Sequence, residues 1–159
     1  MICVLGIGNL LLGDEGLGVV ALKTFSELYE VGPGVQLLDG GTLGIDLMYY
    51  LEGVKKLLVI DAVSGGKEPG HFYRFEDDEV KRYFRNKVSM HEIGFQEVLA
   101  LLELKGHKFD KLVLLGLEPA RIELSLELSP VVKARLPFLV KQVADELKSW
   151  GAEVRKRAA

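Results

Sequence analysis

The stretch Met1-Ile-Cys-Val-Leu-Gly6-Ile-Gly8-Asn-Leu-Leu-Leu-Gly13-Asp-Glu15-Gly16 changes character half-way along, and that change decides the fold. Met1 to Gly6 is a short apolar run with no polar face, the pattern of a strand buried on both sides. Past Gly16 the positions Leu17, Val20, Ala21, Thr24, Phe25 and Leu28 recur three and four apart, which predicts a helix. Between them lies a glycine-rich turn carrying two adjacent carboxylates, Asp14 and Glu15. A turn at the carboxyl end of a strand is where open α/β sheets place their ligand sites.

Two phosphate motifs begin in this turn and neither is completed. Gly8, four residues and Gly13 match the front of a P-loop, but Asp14-Glu15 stands where Lys and Ser or Thr are needed. Two carboxylates beside a phosphate add repulsion where the motif supplies a cation. Gly6-x-Gly8 opens a dinucleotide fingerprint, yet Leu11 occupies the third glycine position. An acidic turn rich in glycine suits a cation better than an anion.

The rest of the chain repeats the alternation. Val35–Asp39 reads as a second strand, Ile45–Leu51 as a short helix, and Leu57–Val63 as a third, strongly apolar strand. Such strand–helix alternation implies right-handed crossovers and a parallel sheet. His71–Phe75 reads as a further strand at an edge, Asp77–Arg85 as a short charged helix, and a helix is expected to start near Glu92. Lys111–Gly116 is another buried strand, and Arg121–Ser125 is expected to form a short one. Ser129-Pro130 opens a long helix with serine as N-cap and proline at the first helical position, and Pro137 is expected to kink or divide it. The basic tail Lys148–Ala159 is expected to be a solvated end.

Composition excludes several classes. With 159 residues the chain fits one domain, spanning 1–159, able to bury a substantial core. A net charge of −3 offers no large basic surface for nucleic acid. The apolar runs fall far short of the roughly 20 residues of a membrane helix. No basic leader or cleavage signature precedes the first strand. The single cysteine, Cys3, sits inside that strand and reads as a small buried hydrophobe. These bounds describe a soluble, cytoplasmic protein of one domain, expected to be a monomer.

The residues able to carry chemistry fall at equivalent places. Glu15 follows the first strand, Asp39 ends the second, and Asp61 stands near the end of the third. His91 lies in Ser89-Met-His-Glu92, a capping-box spacing that puts it in the first turn of a helix. There the helix dipole disfavours the imidazolium, leaving a neutral ring able to bind metal. If the first and third strands are neighbours, Glu15, Asp61 and His91 converge on one crevice. Two carboxylates and one imidazole suit a borderline divalent ion such as zinc, nickel or iron, with positions left open for a substrate. Structural readings stand beside these. Asp14 reads as the N-cap of the first helix, and Glu15 can equally serve the positive end of that helix. Asp39 with Gly40-Gly41 reads as an Asx turn, Asp61 can bond loop amides, and a histidine at a helix start is often structural.

The motifs Gly6-Ile-Gly-Asn9, Leu12-Gly-Asp-Glu-Gly16, Asp39-Gly-Gly-Thr-Leu-Gly44, Ile60-Asp-Ala-Val63 and Ser89-x-His91-Glu92 resemble those of the hydrogenase maturation endopeptidases, in order and spacing. The match spans roughly residues 1–125. The resemblance implies a three-layer α/β/α fold of the phosphorylase/hydrolase type with a mostly parallel five-stranded core. It implies removal of a C-terminal extension from the large-subunit precursor of a nickel–iron hydrogenase, after nickel insertion. The family's metal-contacting residues fall on Glu15, Asp61 and His91, with Asp39 as an accessory. The resemblance further implies that nickel is presented by the substrate and that no organic cofactor is needed. Two other classes fit the scaffold, a metal-dependent hydrolase of small amides and a nickel checkpoint that binds the precursor without cutting it.

Overall fold

The computed structural model describes residues 1–41, 46–86, 95–120 and 123–158. In chain order the strands and helices are β1 (Ile2–Gly6), a one-turn 3-10 helix (Gly13–Gly16), α1 (Leu17–Leu28), β2 (Tyr29–Val31), β3 (Val35–Asp39), α2 (Leu47–Leu51) and β4 (Lys56–Ala62). They continue with β5 (Phe72–Glu76), α3 (Asp78–Asn86), α4 (Phe95–Leu104), β6 (Lys111–Leu117), α5 (Pro130–Ser149) and β7 (Val154–Lys156). Five strands form one sheet in the order β3-β1-β4-β6-β5. The first four are mutually parallel, and β5 runs antiparallel to β6 at the edge.

Residues on each central strand alternate between two apolar layers. Val4 of β1, Leu58 and Ile60 of β4, and Val113 and Leu115 of β6 pack with α1 and α5. Cys3 and Leu5, Leu57 and Val59, and Leu112 and Leu114 face the other way, against α2, α3 and α4. This is the three-layer α/β/α arrangement, and it explains why β1, β4 and β6 are near-continuous apolar runs: both faces are covered. Cys3 is fully buried, and burial pushes its thiol up to about 12. No helix among the described residues is long and apolar enough to cross a membrane.

Three expectations are corrected. Pro137 does not divide the helix of Pro130–Ser149, which continues past it with Val132, Leu139, Val143 and Leu147 buried on both sides. Ser129 is its N-cap residue but makes no capping bond with its side chain. Of the strand expected over 121–125, residues 121–122 lie outside the described residues and 123–125 form none beyond an isolated parallel bridge of Ser125 to Leu12. The basic tail is not a loose end. Val154–Lys156 pairs antiparallel with Tyr29–Val31 just after α1, and Glu30 accepts ion pairs from Arg155 (3.3 Å) and Arg157 (3.0 Å). The Arg157 amide also donates to the Leu28 carbonyl at 2.8 Å. The first helix therefore stops at Leu28, and the next residues are drawn into a ribbon.

Candidate active site

β1 lies between β3 and β4, with Gly6 opposite Asp39 on one side and Ile60 on the other. The chain leaves β1 through α1 to β3, then crosses back to β4, so the strand order reverses between β1 and β4. Loops diverge at such a point and leave a crevice at the carboxyl ends of the strands. The turn after β1 and the end of β4 both stand there.

Gly8 is the pivot of this edge. Its φ of 128° is open only to glycine, and a Cβ on it would run into the Glu15 carbonyl oxygen and come within 3.6 Å of Asp61 Oδ1. The Asn9 amide donates to the same Glu15 carbonyl at 3.0 Å, folding the turn back on itself. Glu15, in the 3-10 turn, is 2 % exposed, and Asp61 is fully buried, with Oδ1 accepting the Ala62 amide at 2.8 Å. The main chain of Glu15 and the carboxylate of Asp61 thus meet beside one glycine at the switch point.

The loop after β3 closes the same neighbourhood. Asp39 Oδ1 accepts the Gly41 amide at 2.9 Å, the Asx turn expected there, and the Gly40 amide donates to Gly6 at 2.9 Å. A Cβ on Gly41 would lie 3.0 Å from the Gly8 carbonyl oxygen. The structure therefore brings Glu15, Asp61 and the Asp39 loop around Gly8. His91, with Ser89 and Glu92, lies outside the described residues; α4 is described from Phe95.

Asp14 does not cap α1. The N-cap position of that helix is Gly16, without a side-chain bond. Asp14, 1 % exposed, instead accepts the Ser129 amide at 2.7 Å on Oδ1, and the Ala120 amide and Ser129 hydroxyl, each at 2.8 Å, on Oδ2. The carboxylate thereby ties the turn that carries Glu15 to the segment after β6 and to the start of α5. Bonds to an ionised oxygen are shorter and stronger than neutral ones, so this is a firm three-way tie.

A further buried acid, Glu118, was not picked out from sequence. It follows β6 and is 7 % exposed. Its Oε1 accepts the Gly65 amide (2.9 Å), the Lys67 amide (3.0 Å) and the Tyr73 hydroxyl (2.6 Å), holding the loop that leaves β4. Burial, and then the bond to the Glu118 carboxylate, push the Tyr73 hydroxyl from 10.0 up to about 12. The signal for Glu118 was its place at the end of an apolar strand, the same place that singled out Asp61.

A family model described as hydrogenase maturation protease matches residues 19–146. The chain belongs to the hydrogenase maturation protease family. It is 40 % identical over 158 residues to the hydrogenase expression/formation protein HupD of Rhizobium leguminosarum bv. viciae, covering 98 % of this chain and 78 % of that one. The fold superposes on the hydrogenase maturating endopeptidase HybD from E. coli with a TM-score of 0.93 at 36 % identity, covering 98 % of this chain and 97 % of the other. It also resembles the NiFe hydrogenase maturation protease HybD from Thermococcus kodakarensis, with a TM-score of 0.73 at 28 % identity and coverage of 92 % and 97 %. As a member of this family of maturation proteases, the chain is a hydrolase of peptide bonds. The family match starts at residue 19, beyond Glu15, whereas the HupD and E. coli HybD comparisons extend over nearly the whole chain.

Proposed function

We propose that this protease removes the C-terminal extension of a nickel–iron hydrogenase large-subunit precursor after nickel insertion, and that Glu15, Asp61 and His91 recognise nickel carried by that precursor. The observation that supports this reading is that the main chain of Glu15 and the carboxylate of Asp61, both residues almost fully buried, come together beside Gly8 at the switch point. A permanent structural metal site is normally closed by four protein ligands, often thiolates. Two carboxylates and an imidazole instead leave positions for donors from the substrate, so a nickel ion held by precursor thiolates could have its coordination completed here. An empty precursor would offer nothing to dock.

In this reading Asp39 is an accessory whose carboxylate shapes the Gly40-Gly41 turn beside Gly8. Cleavage proceeds by attack of water on the scissile carbonyl, with the substrate's ion polarising the carbonyl or activating the water and a site carboxylate as general base. Cys3 is excluded as a nucleophile by its burial inside β1. Residues 1–159 act as one catalytic domain, as a monomer in the cytoplasm, without an organic cofactor.

The test is a mass measurement on nickel-loaded and nickel-free precursor incubated with the wild type and with Glu15→Gln. The wild type is expected to shorten only the loaded precursor, and the variant to shorten neither. Equal cutting of both precursors would remove the nickel requirement. Full activity of Glu15→Gln would remove Glu15 from the site. An unchanged mass under every condition would favour the binding checkpoint over the protease.

A further inference from the structure

Between the start of β5 and the first two turns of α5 lies an open groove of about 390 Å³, lined by Glu68, Gly70, His71, Phe72, Val131 and Arg135. Arg135, half-buried, is fixed there by neutral partners. Its Nε donates to the Gly70 carbonyl at 3.2 Å, and its guanidinium carbon stands 4.2 Å from the centroid of the Phe138 ring. Phe138 meets Phe72 edge-on, with ring centroids 5.3 Å apart. Gly70 packs closely on the helix: a Cβ on it would lie 3.3 Å from Arg135 Cγ and 3.4 Å from a Val131 methyl. Among the described residues no carboxylate pairs with Arg135, Glu68 included, and the edge that carries Nη1 and Nη2 meets no acceptor. A guanidinium held by one nitrogen and one face, with its other edge open, is already set to meet a carboxylate through two parallel bonds.

We propose that this groove binds the terminal α-carboxylate of the precursor's C-terminal extension, with Arg135 as its partner and Phe72 and Val131 against the last side chain. This rests on the reading of the chain as the protease that removes that extension. A terminal carboxylate is the one group that every such precursor carries beyond the scissile bond, whatever its sequence, and it stays on the fragment that leaves. The groove lies at the same end of the sheet as Asp61. Ala62, which follows Asp61, and Phe72 pair with Leu117 from opposite sides, so they stand two strand spacings apart, about 10 Å. An extended chain covers that distance in about three residues. The charges favour a carboxylate over a phosphate. Arg135 and Glu68 cancel, with His71 neutral, so the groove has no net positive charge for a dianion, whereas a monoanion needs only the open fork. Glu68 opposes the bound carboxylate through its own like charge. Anchoring the tail of the substrate acts on association rather than on the bond-breaking step.

The test uses nickel-loaded precursor whose extension ends in the natural carboxylate or, made by chemical ligation, in a primary amide. Each is given to the wild type, Arg135→Gln, Arg135→Lys and Glu68→Gln. KM and kcat are followed, together with binding of a short synthetic peptide of the extension's last residues in its free and amidated forms. In the wild type, amidation is expected to raise KM and weaken peptide binding about tenfold, the scale of a charge-assisted pair in a partly open site. Arg135→Gln is expected to show the same loss with the free carboxylate and to erase the difference between free and amidated forms. Arg135→Lys, which keeps the charge but not the fork, is expected to fall between. Glu68→Gln is expected to tighten the free form and leave the amide unchanged. Equal KM and equal peptide binding of the two forms in the wild type would overturn the groove's role, as would a difference between them that Arg135→Gln leaves intact. A variant that merely loosened α5 would weaken both forms alike. A wild type that prefers the free peptide yet cuts neither precursor would refute the protease reading and leave the groove standing. One that cuts both precursors equally and binds both peptides equally would do the reverse.

Discussion

Replacing Asp14 tests how the site is held. Asp14→Ala removes the acceptor for two backbone amides, those of Ala120 and Ser129, and for the Ser129 hydroxyl, around a carboxylate that is 1 % exposed. A stranded donor costs about 1–3 kcal/mol, and neighbouring losses sum to less than their total. Because Ser129 is half-buried and water can reach part of it, the expected loss is about 3 kcal/mol. In a chain of 159 residues that corresponds to a fall in Tm of roughly 6–12 °C. Asp14→Asn keeps one acceptor oxygen but turns an NH2 group toward a donor, for an intermediate loss of about 1–2 kcal/mol. Ser129→Ala removes only the hydroxyl and leaves both amides bonded, costing about 1 kcal/mol. Urea unfolding of the three variants and of Asp14→Ala/Ser129→Ala measures the order and the coupling. A helix cap at Asp14 would be worth about 1 kcal/mol and would not couple to a residue at the start of α5. An Asp14→Ala loss of that size, additive with Ser129→Ala, would refute the tie.

Two further outcomes follow from contacts described above. Gly18→Ala, in the first turn of α1, would drive its Cβ into the carbonyl oxygens of Ile60 and Ile7. The usual gain of about 1 kcal/mol for alanine in a helix is therefore expected to reverse into a loss of about 1–3 kcal/mol, and a stabilised variant in urea unfolding would show that α1 is not pressed against β1 and β4. Tyr73, raised from 10.0 to about 12, contributes stability that is complete below pH 10 and is lost as pH climbs toward 12, since the unfolded chain releases that proton first. Tyr73→Phe is expected to flatten part of this alkaline slope, the share from Cys3 remaining; identical slopes in wild type and variant, measured by urea unfolding across that range, would contradict it.

The sheet was legible because its central strands are buried on both faces. Leu57–Val63 and Lys111–Gly116 had to be largely apolar, and they stand in the structure as β4 and β6 within a residue. The Asx turn at Asp39 was legible because donor and acceptor lie two residues apart. Asp14 was misread for the opposite reason. Its local sequence suits a helix cap, while its partners lie 106 and 115 residues away, where no window can see them. The tail was misread from its lysines and arginines: besides the ion pairs to Glu30, β7 is held by backbone pairing and by the buried Val154, neither of which composition reports. Glu118 belongs to no motif, and only the fold shows that three donors from the β4–β5 region meet on it.

The distance spanned by Asp14 sets an order of assembly. β1 and the Glu15 turn come first along the chain, but the Asp14 tie is complete only when Ser129 arrives, 115 residues later. Contacts of such separation carry a large loop-closure cost and form late. A chain in which the amino-terminal half has folded but α5 has not docked holds Glu15 on a turn that lacks its Ser129 bonds. On the role proposed for Glu15, the geometry of the site is completed by contacts that close late, from the far end of the chain.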